Sequence, residues 1–155
     1  MVILLTGYVF FPLEYVKEIN DVACEMLVDP TLIAAIIKLE SDFKELALSN
    51  SGAFGLMQLM PETANWLSTQ YLIRGSWRDP HNNIKLGSFY LKRLFSEFDN
   101  DINHTLNAYH MGPNRLKSLL AENENFRKTT YTKRINLYQS VYKILYHGFF
   151  VYPGE

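Results

Sequence analysis

An all-α single domain is predicted by three features of the sequence. Apolar residues recur at helical spacing in successive stretches, the dipeptide Asp-Pro opens two of them, and alternating strand patterns are scarce. A first helix is expected over about Leu13 to Leu27. Asp29-Pro30 then offers an N-cap followed by a proline at the first helical position, where no N–H is needed. Ile33, Ile36, Ile37 and Glu40 continue from it on one face. Ala47 to Gly55 reads as a loop, and Met60-Pro61-Glu62 opens a helix through about Leu67. Asp79-Pro80 starts the next, with Ile84, Gly87, Leu91, Leu94, Phe95 and Phe98 on one face. A glycine within that face marks close approach by another helix or a ligand. A short helix from Ile102 to Tyr109 ends near Gly112-Pro113, and another runs from there to about Leu120. The last helix carries Ile135, Tyr138, Tyr142 and Leu145, and the tail HGFFVYPGE reads as irregular.

The chain has 155 residues, the size of one domain, with 48% hydrophobic and 20% charged residues, which fits an ordered core. Formal net charge is −1 with the charges interspersed, so no basic stripe supports a nucleic-acid partner. The single cysteine, Cys24, excludes an internal disulfide. Its neighbours Val22, Ala23, Met26 and Leu27 predict a buried, inert thiol. Residues 1–12 are strongly apolar but too short to span a bilayer, which needs ~20 residues. They also lack the basic region and cleavage site of a signal peptide. A packed segment, a remnant of a longer membrane anchor and a start codon inside such an anchor all stay open, and with them membrane association.

No metal or cofactor is implied. His81, His104 and His147 lack metal-ligand spacing. Asp99-Asn100-Asp101 begins like a calcium loop, but its sixth position is His104 and its twelfth His110, so it reads as a turn and helix cap. Asn103-His104-Thr105 fits a glycosylation sequon only by composition.

Glu40 needs the most explanation. A carboxylate continuing an apolar stripe loses solvation; it either finds a cationic partner or holds its proton with a raised pKa. A glutamic acid that stays protonated in a dry cleft can serve as a general acid. The stretch SGAFGLMQLMP, residues 51–61, poses a second question. It is apolar enough for core, yet two glycines break it and Gln58 sits between methionines. Gln58 either satisfies backbone groups in a turn or offers its amide to a ligand.

Glu40-Ser41-Asp42-Phe43 is followed by Ala47-Leu48-Ser49 and then by Gly52-Ala53-Phe54-Gly55-Leu56-Met57-Gln58-Leu59-Met60-Pro61-Glu62-Thr63-Ala64. Asp79-Pro80, Asn83-Ile84, Gly87 and Tyr90-Leu91 come next, then Asn107-Ala108-Tyr109-His110-Met111-Gly112-Pro113. This series resembles the catalytic domain of the soluble lytic transglycosylases, relatives of goose-type lysozyme, over roughly Leu13 to Tyr146. The resemblance implies a lysozyme-like all-α fold over residues 13–147, with residues 1–12 and 148–155 outside it. It implies cleavage of the β-1,4 bond between N-acetylmuramic acid and N-acetylglucosamine in peptidoglycan, with Glu40 as general acid and then base. It places substrate contacts on Ser49, Gln58, Met60, Tyr109 and His110, and gives the Tyr109 hydroxyl the role of holding Glu40 or the substrate's acetamido group. Gly52 and Gly55 would let the backbone turn where a Cβ would crowd the sugar or the catalytic helix. Leu56, Met57 and Leu59 would support the floor.

The sequence departs from the pattern in two places. The usual Ala-Tyr-Asn-Ala-Gly-Pro reads Ala108-Tyr109-His110-Met111-Gly112-Pro113. The acidic residue that many relatives carry before the last helix is missing from Phe126-Arg127-Lys128-Thr129-Thr130, unless Glu124 replaces it. A muramidase using water, or a glycan-binding module without activity, are the rival readings. The implied partner is a peptidoglycan glycan strand, the implied location extracytoplasmic, and the expected state a monomer.

Overall fold

The computed structural model describes residues 7–123 and 126–154. The first six residues of the apolar N-terminal segment, and Glu124, lie outside the described residues. After a helical turn at residues 7–10, the helices are α1 (Val16–Met26), α2 (Pro30–Ser41), α3 (Pro61–Gln70), α4 (Pro80–Glu97), α5 (Ile102–Met111), α6 (Pro113–Glu122) and α7 (Thr130–Tyr146), followed by a 3-10 turn at His147–Phe149. Among the described residues none of these is long and apolar enough to cross a membrane.

Local chemistry fixes where the helices begin. The Asp29 carboxylate accepts from the Thr31 N–H at 2.9 Å, and Asp79 accepts from His81 N–H at 3.0 Å, each with proline at the first helical position. Asp101 caps α5 through the N–H groups of Asn103 and His104, so the calcium-like sequence is the turn and cap that its composition predicts. Thr129 and Thr132 exchange side-chain and backbone bonds at the start of α7. α1 starts at Val16, three residues later than expected, because Tyr15 adopts a left-handed conformation, φ 55°. α3 runs to Gln70, a turn beyond the expected end.

α2 is the buried axis. Every residue from Pro30 to Ile37 is buried, so water reaches this helix only at its C-terminal end, where Glu40 lies. It packs most extensively along α7, while α4 bridges α1, α3 and α5. Gly87 on α4 is packed against the loop rather than a helix or ligand: an added Cβ would lie 2.8 Å from the Met57 Cβ.

One expectation is overturned. Cys24 is exposed, not buried. The buried stripe of α1 is Ile19, Val22, Ala23 and Met26, and helical geometry turns position 24 outward. The C-terminal tail has no helix or strand beyond a short 3-10 turn among the described residues, yet it is packed in place. It opens with the 3-10 turn, buries Phe150, and is tied down by Asn20, which donates to the Phe149 carbonyl and accepts from the Val151 N–H. The N-terminal segment is held by its carbonyls: the Tyr146 and Tyr142 hydroxyls donate to Phe11 O and Pro12 O at 2.7 and 2.8 Å.

Candidate active site

The floor of the site is the loop from Ala47 to Met60. It folds on itself through paired backbone bonds between Phe54 and Leu59, each 3.0 Å, and through Gly55 N–H to Ala47 O at 2.9 Å. Buried side chains from different helices then pin it. Ser41 of α2 donates to Leu56 O at 2.8 Å. Asn83 of α4 accepts from Met57 N–H at 2.8 Å and donates to Phe54 O at 3.1 Å. Tyr109 of α5 donates to Met57 O at 2.9 Å. Leu56, Met57 and Leu59 are buried beneath, as a supporting floor requires.

The glycines have different reasons. Gly55, φ 84°, faces Asn83: a Cβ there would stand 2.5 Å from Asn83 Nδ2. The crowding group is therefore an amide of α4, not the catalytic helix. Gly52, φ 89°, has open space around it and is required by its backbone angle alone.

Glu40 lies on the last turn of α2, half-buried at the edge of this floor. Burial pushes its carboxyl pKa up, opposed by a hydrogen bond from the Tyr131 hydroxyl to Oε1 at 2.6 Å. Burial likewise holds the Tyr131 phenol well above its ordinary range, with the Glu40 charge adding to it, so Tyr131 stays a donor. The His110 ring stacks on Tyr131, 4.3 Å between centroids at 13°. Burial and the Arg115 charge push the His110 pKa down, keeping it neutral around neutral pH.

Three cavities adjoin around these residues, of about 610, 300 and 240 Å³. Glu40 lines the first two, Gln58 the first and third, and His110 the second and third, so they form one continuous groove with Glu40 within it. Ser49 and Arg134 line the largest section, Met60 and Tyr109 the smallest. A larger cavity of about 780 Å³ lies between α1 and α4 and touches none of these residues.

Each residue expected at the site therefore borders the groove, but two do different work from that expected. The Tyr109 hydroxyl does not reach Glu40; it holds the Met57 carbonyl, and Tyr131 takes the carboxyl. Gln58, at φ 47°, gives its amide NH₂ to Ala47 O and Gly55 O at 3.0 and 2.9 Å. It satisfies backbone groups in its turn and leaves only Oε1 to accept from a ligand. Ser49 Oγ accepts from Ala53 N–H at 2.9 Å, which leaves its hydroxyl proton to donate. Met60 is exposed on the rim. Tyr131 and Arg134 are the residues that sequence reasoning missed. Tyr131 was visible only as the opening of the last helix. Among the described residues no group of three or more His, Cys, Asp and Glu is placed to hold a metal ion.

A helical domain with a buried central helix, a glycine-turned floor and a half-buried glutamate beside an open groove is of the lysozyme-like class. The sequence model of the transglycosylase SLT domain matches residues 18–132, and the chain belongs to that family. It is 31% identical over 115 residues to a soluble lytic murein transglycosylase of Escherichia coli, covering 71% of this chain and 18% of that protein. It is 34% identical over 103 residues to a transglycosylase of Enterobacteria phage PRD1, covering 66% of this chain and 37% of that one. The fold matches the crystal structure of the 70 kDa soluble lytic transglycosylase from Escherichia coli with a TM-score of 0.78 at 26% identity, over 86% of this chain and 25% of that one. The chain thus spans under two fifths of the length of these relatives.

Proposed function

We propose that this domain is a peptidoglycan lytic transglycosylase, cleaving the β-1,4 bond between N-acetylmuramic acid and N-acetylglucosamine with release of 1,6-anhydro-muramic ends. The observation that carries this reading is the Glu40–Tyr131 pair in the open groove. It rests also on the activity named for the relatives.

The chemistry follows from the pair. Burial keeps Glu40 protonated to higher pH than a free carboxyl. Tyr131 donates to Oε1, which leaves Oε2 to carry the acidic proton. That proton passes to the glycosidic oxygen as the C1–O4 bond breaks. The Tyr131 bond then steadies the carboxylate that remains. The substrate's own 2-acetamido group offsets the positive charge developing at C1, as in substrate-assisted glycosidases. Oε2 next takes the proton of the C6 hydroxyl of the same muramic acid, O6 attacks C1, and Glu40 is protonated again. No water is consumed. Ser49, the Oε1 of Gln58, Met60, the ring of Tyr109 and His110 supply the sugar contacts along the groove.

One observation bears on the hydrolytic rival. Asp42 lines the same cavity as Glu40 and is a second carboxylate there. It is exposed, however, and ion-paired with Lys38. The glycan strand lies outside the cytoplasmic membrane, so the domain acts there. Exposed Val9 and Phe10 suit contact with a membrane surface.

Digestion of purified peptidoglycan with mass spectrometry of the soluble products tests the reading, with Glu40→Gln as control. Anhydro-muropeptides that vanish in the variant are expected. Products one water heavier would make the enzyme a muramidase. Equal release by both proteins would leave only a binding role.

A further inference from the structure

Arg134 stands where the 610 and 300 Å³ sections of the groove meet, beside Glu40. Its guanidinium is already oriented. Nη2 donates to the Tyr138 hydroxyl at 2.9 Å, and the group lies 5.6 Å from the centre of that ring. Tyr138 is in turn braced edge-on by Phe11, 5.2 Å between centroids. Among the described residues no carboxylate lies within ion-pair distance of Arg134. Glu40 is not paired with it either; its Oε1 is taken by the Tyr131 hydroxyl.

Lys44 lines the same cavity and likewise has no carboxylate within ion-pair distance among the described residues, whereas Lys38 there is tied to Asp42. The groove thus presents two cations with no ion-pair partner among the described residues, on a protein of formal net charge −1. The first turn of α7 carries no acidic residue, so the positive end of that helix reinforces the field. Neutral sugar rings alone do not call for such a potential. A guanidinium held on one side, with no other N–H group bonded among the described residues, is a fork suited to a carboxylate.

We infer that Arg134, assisted by Lys44, forms an anion subsite next to the scissile bond, and that its ligand is a carboxylate borne by the muramoyl residue of the substrate. This rests on the glycan-cleaving function proposed above. N-Acetylglucosamine is uncharged. The muramoyl residue carries a 3-O-lactyl carboxyl, either free or amide-linked to a peptide with carboxylates of its own. The subsite would therefore tell muramoyl glycan from neutral chitin, which the sugar contacts along the groove do not do by charge.

The test is binding by Glu40→Gln protein, which does not turn ligand over, with and without Arg134→Gln. Calorimetry is run with chitotetraose, with the GlcNAc–MurNAc tetramer bearing free lactyl groups, and with the same tetramer bearing stem peptides. Arg134→Gln is expected to weaken binding of a muramoyl ligand about fivefold at low salt, the scale of an exposed charge pair, with the difference shrinking as salt rises. Chitotetraose affinity should stay unchanged, and Arg134→Lys should restore part of the loss. Loss confined to the free-lactyl or to the peptide-bearing ligand identifies which carboxylate is held. Equal loss on chitotetraose, or no loss on either muramoyl ligand, overturns the anion subsite while leaving the function standing. Failure of Glu40→Gln protein to bind any of the three ligands overturns both.

Discussion

The two walls of the groove are built on opposite plans. One wall is the end of α2 and the loop from Ala47 to Met60, where neighbours in sequence are neighbours in space and Ser41, Asn83 and Tyr109 fasten the loop. The other is assembled from α5 and the start of α7, where His110 and Tyr131 meet face to face across 21 positions of sequence. The first wall holds its shape through buried and half-buried hydrogen bonds from three helices to the loop backbone. The second bears on the proposed chemistry, because its Tyr131 is the group bonded to the Glu40 carboxyl. Shape and reactivity are thus largely separable, and substitutions should divide accordingly.

The largest effect is expected where the first wall is broken. Gly55→Ala combines a positive φ with a Cβ driven against Asn83, and should cost about 3 kcal/mol of stability in denaturant titration. Asn83→Ala strands the Met57 N–H, leaves the Phe54 carbonyl with only its bond from Leu59 N–H, and should cost about 1–3 kcal/mol. A loss under half a kcal/mol in both would mean the loop is not fastened as described.

Tyr131→Phe tests the second wall. It should leave the melting temperature nearly unchanged and lower kcat about tenfold by loosening the acid. The Tyr131 bond lowers the Glu40 pKa, so its removal should raise that pKa further. The alkaline limb of the pH–rate profile, where the acid loses its proton, then moves to higher pH. Tyr109→Phe sharpens the contrast. It should cost about 1–2 kcal/mol of stability by stranding the Met57 carbonyl, with the alkaline limb unmoved. If the two variants exchanged these signatures, the roles assigned to the two tyrosines would be reversed.

Smaller effects follow from Glu40 itself. Its folded-state pKa is raised above the unfolded value, so the stability that its protonated form contributes is full below the unfolded pKa of ~4.3 and is lost as pH rises through the folded one. Glu40→Gln keeps an acceptor for Tyr131 and cannot ionise. Its melting temperature should equal that of the native protein at about pH 3.5 and exceed it at pH 7. A native protein more stable than the variant at pH 7 would contradict a raised pKa. Smallest of all, Met60→Ala on the exposed rim should shift stability by no more than about 0.5 kcal/mol and appear only in KM.

The same division explains what the sequence disclosed. The helices were legible because Asp29-Pro30 and Asp79-Pro80 carry their start signals locally, and because Glu40 extends the stripe of Ile33, Ile36 and Ile37. The first wall was legible because its glycines and amide lie in one short run. Cys24 was misplaced because its neighbours in sequence are apolar, although they occupy another face of α1. Tyr131 was missed for a deeper reason. Its partner Glu40 is 91 positions away, and nothing local separates a tyrosine that braces an acid from one that opens a helix. Tyr109, which sits in a recognisable motif, drew the role that geometry gives to Tyr131.

The central claim is that Glu40 enters the reaction with its proton on, held by Tyr131. Carbon-13 NMR titration of the Glu40 carboxyl, assigned by loss of the resonance in Glu40→Gln, tests it directly. Titration above the ordinary glutamate range, moving higher still in Tyr131→Phe, is the predicted result. Titration at or below the ordinary range, or insensitivity to Tyr131→Phe, would contradict it.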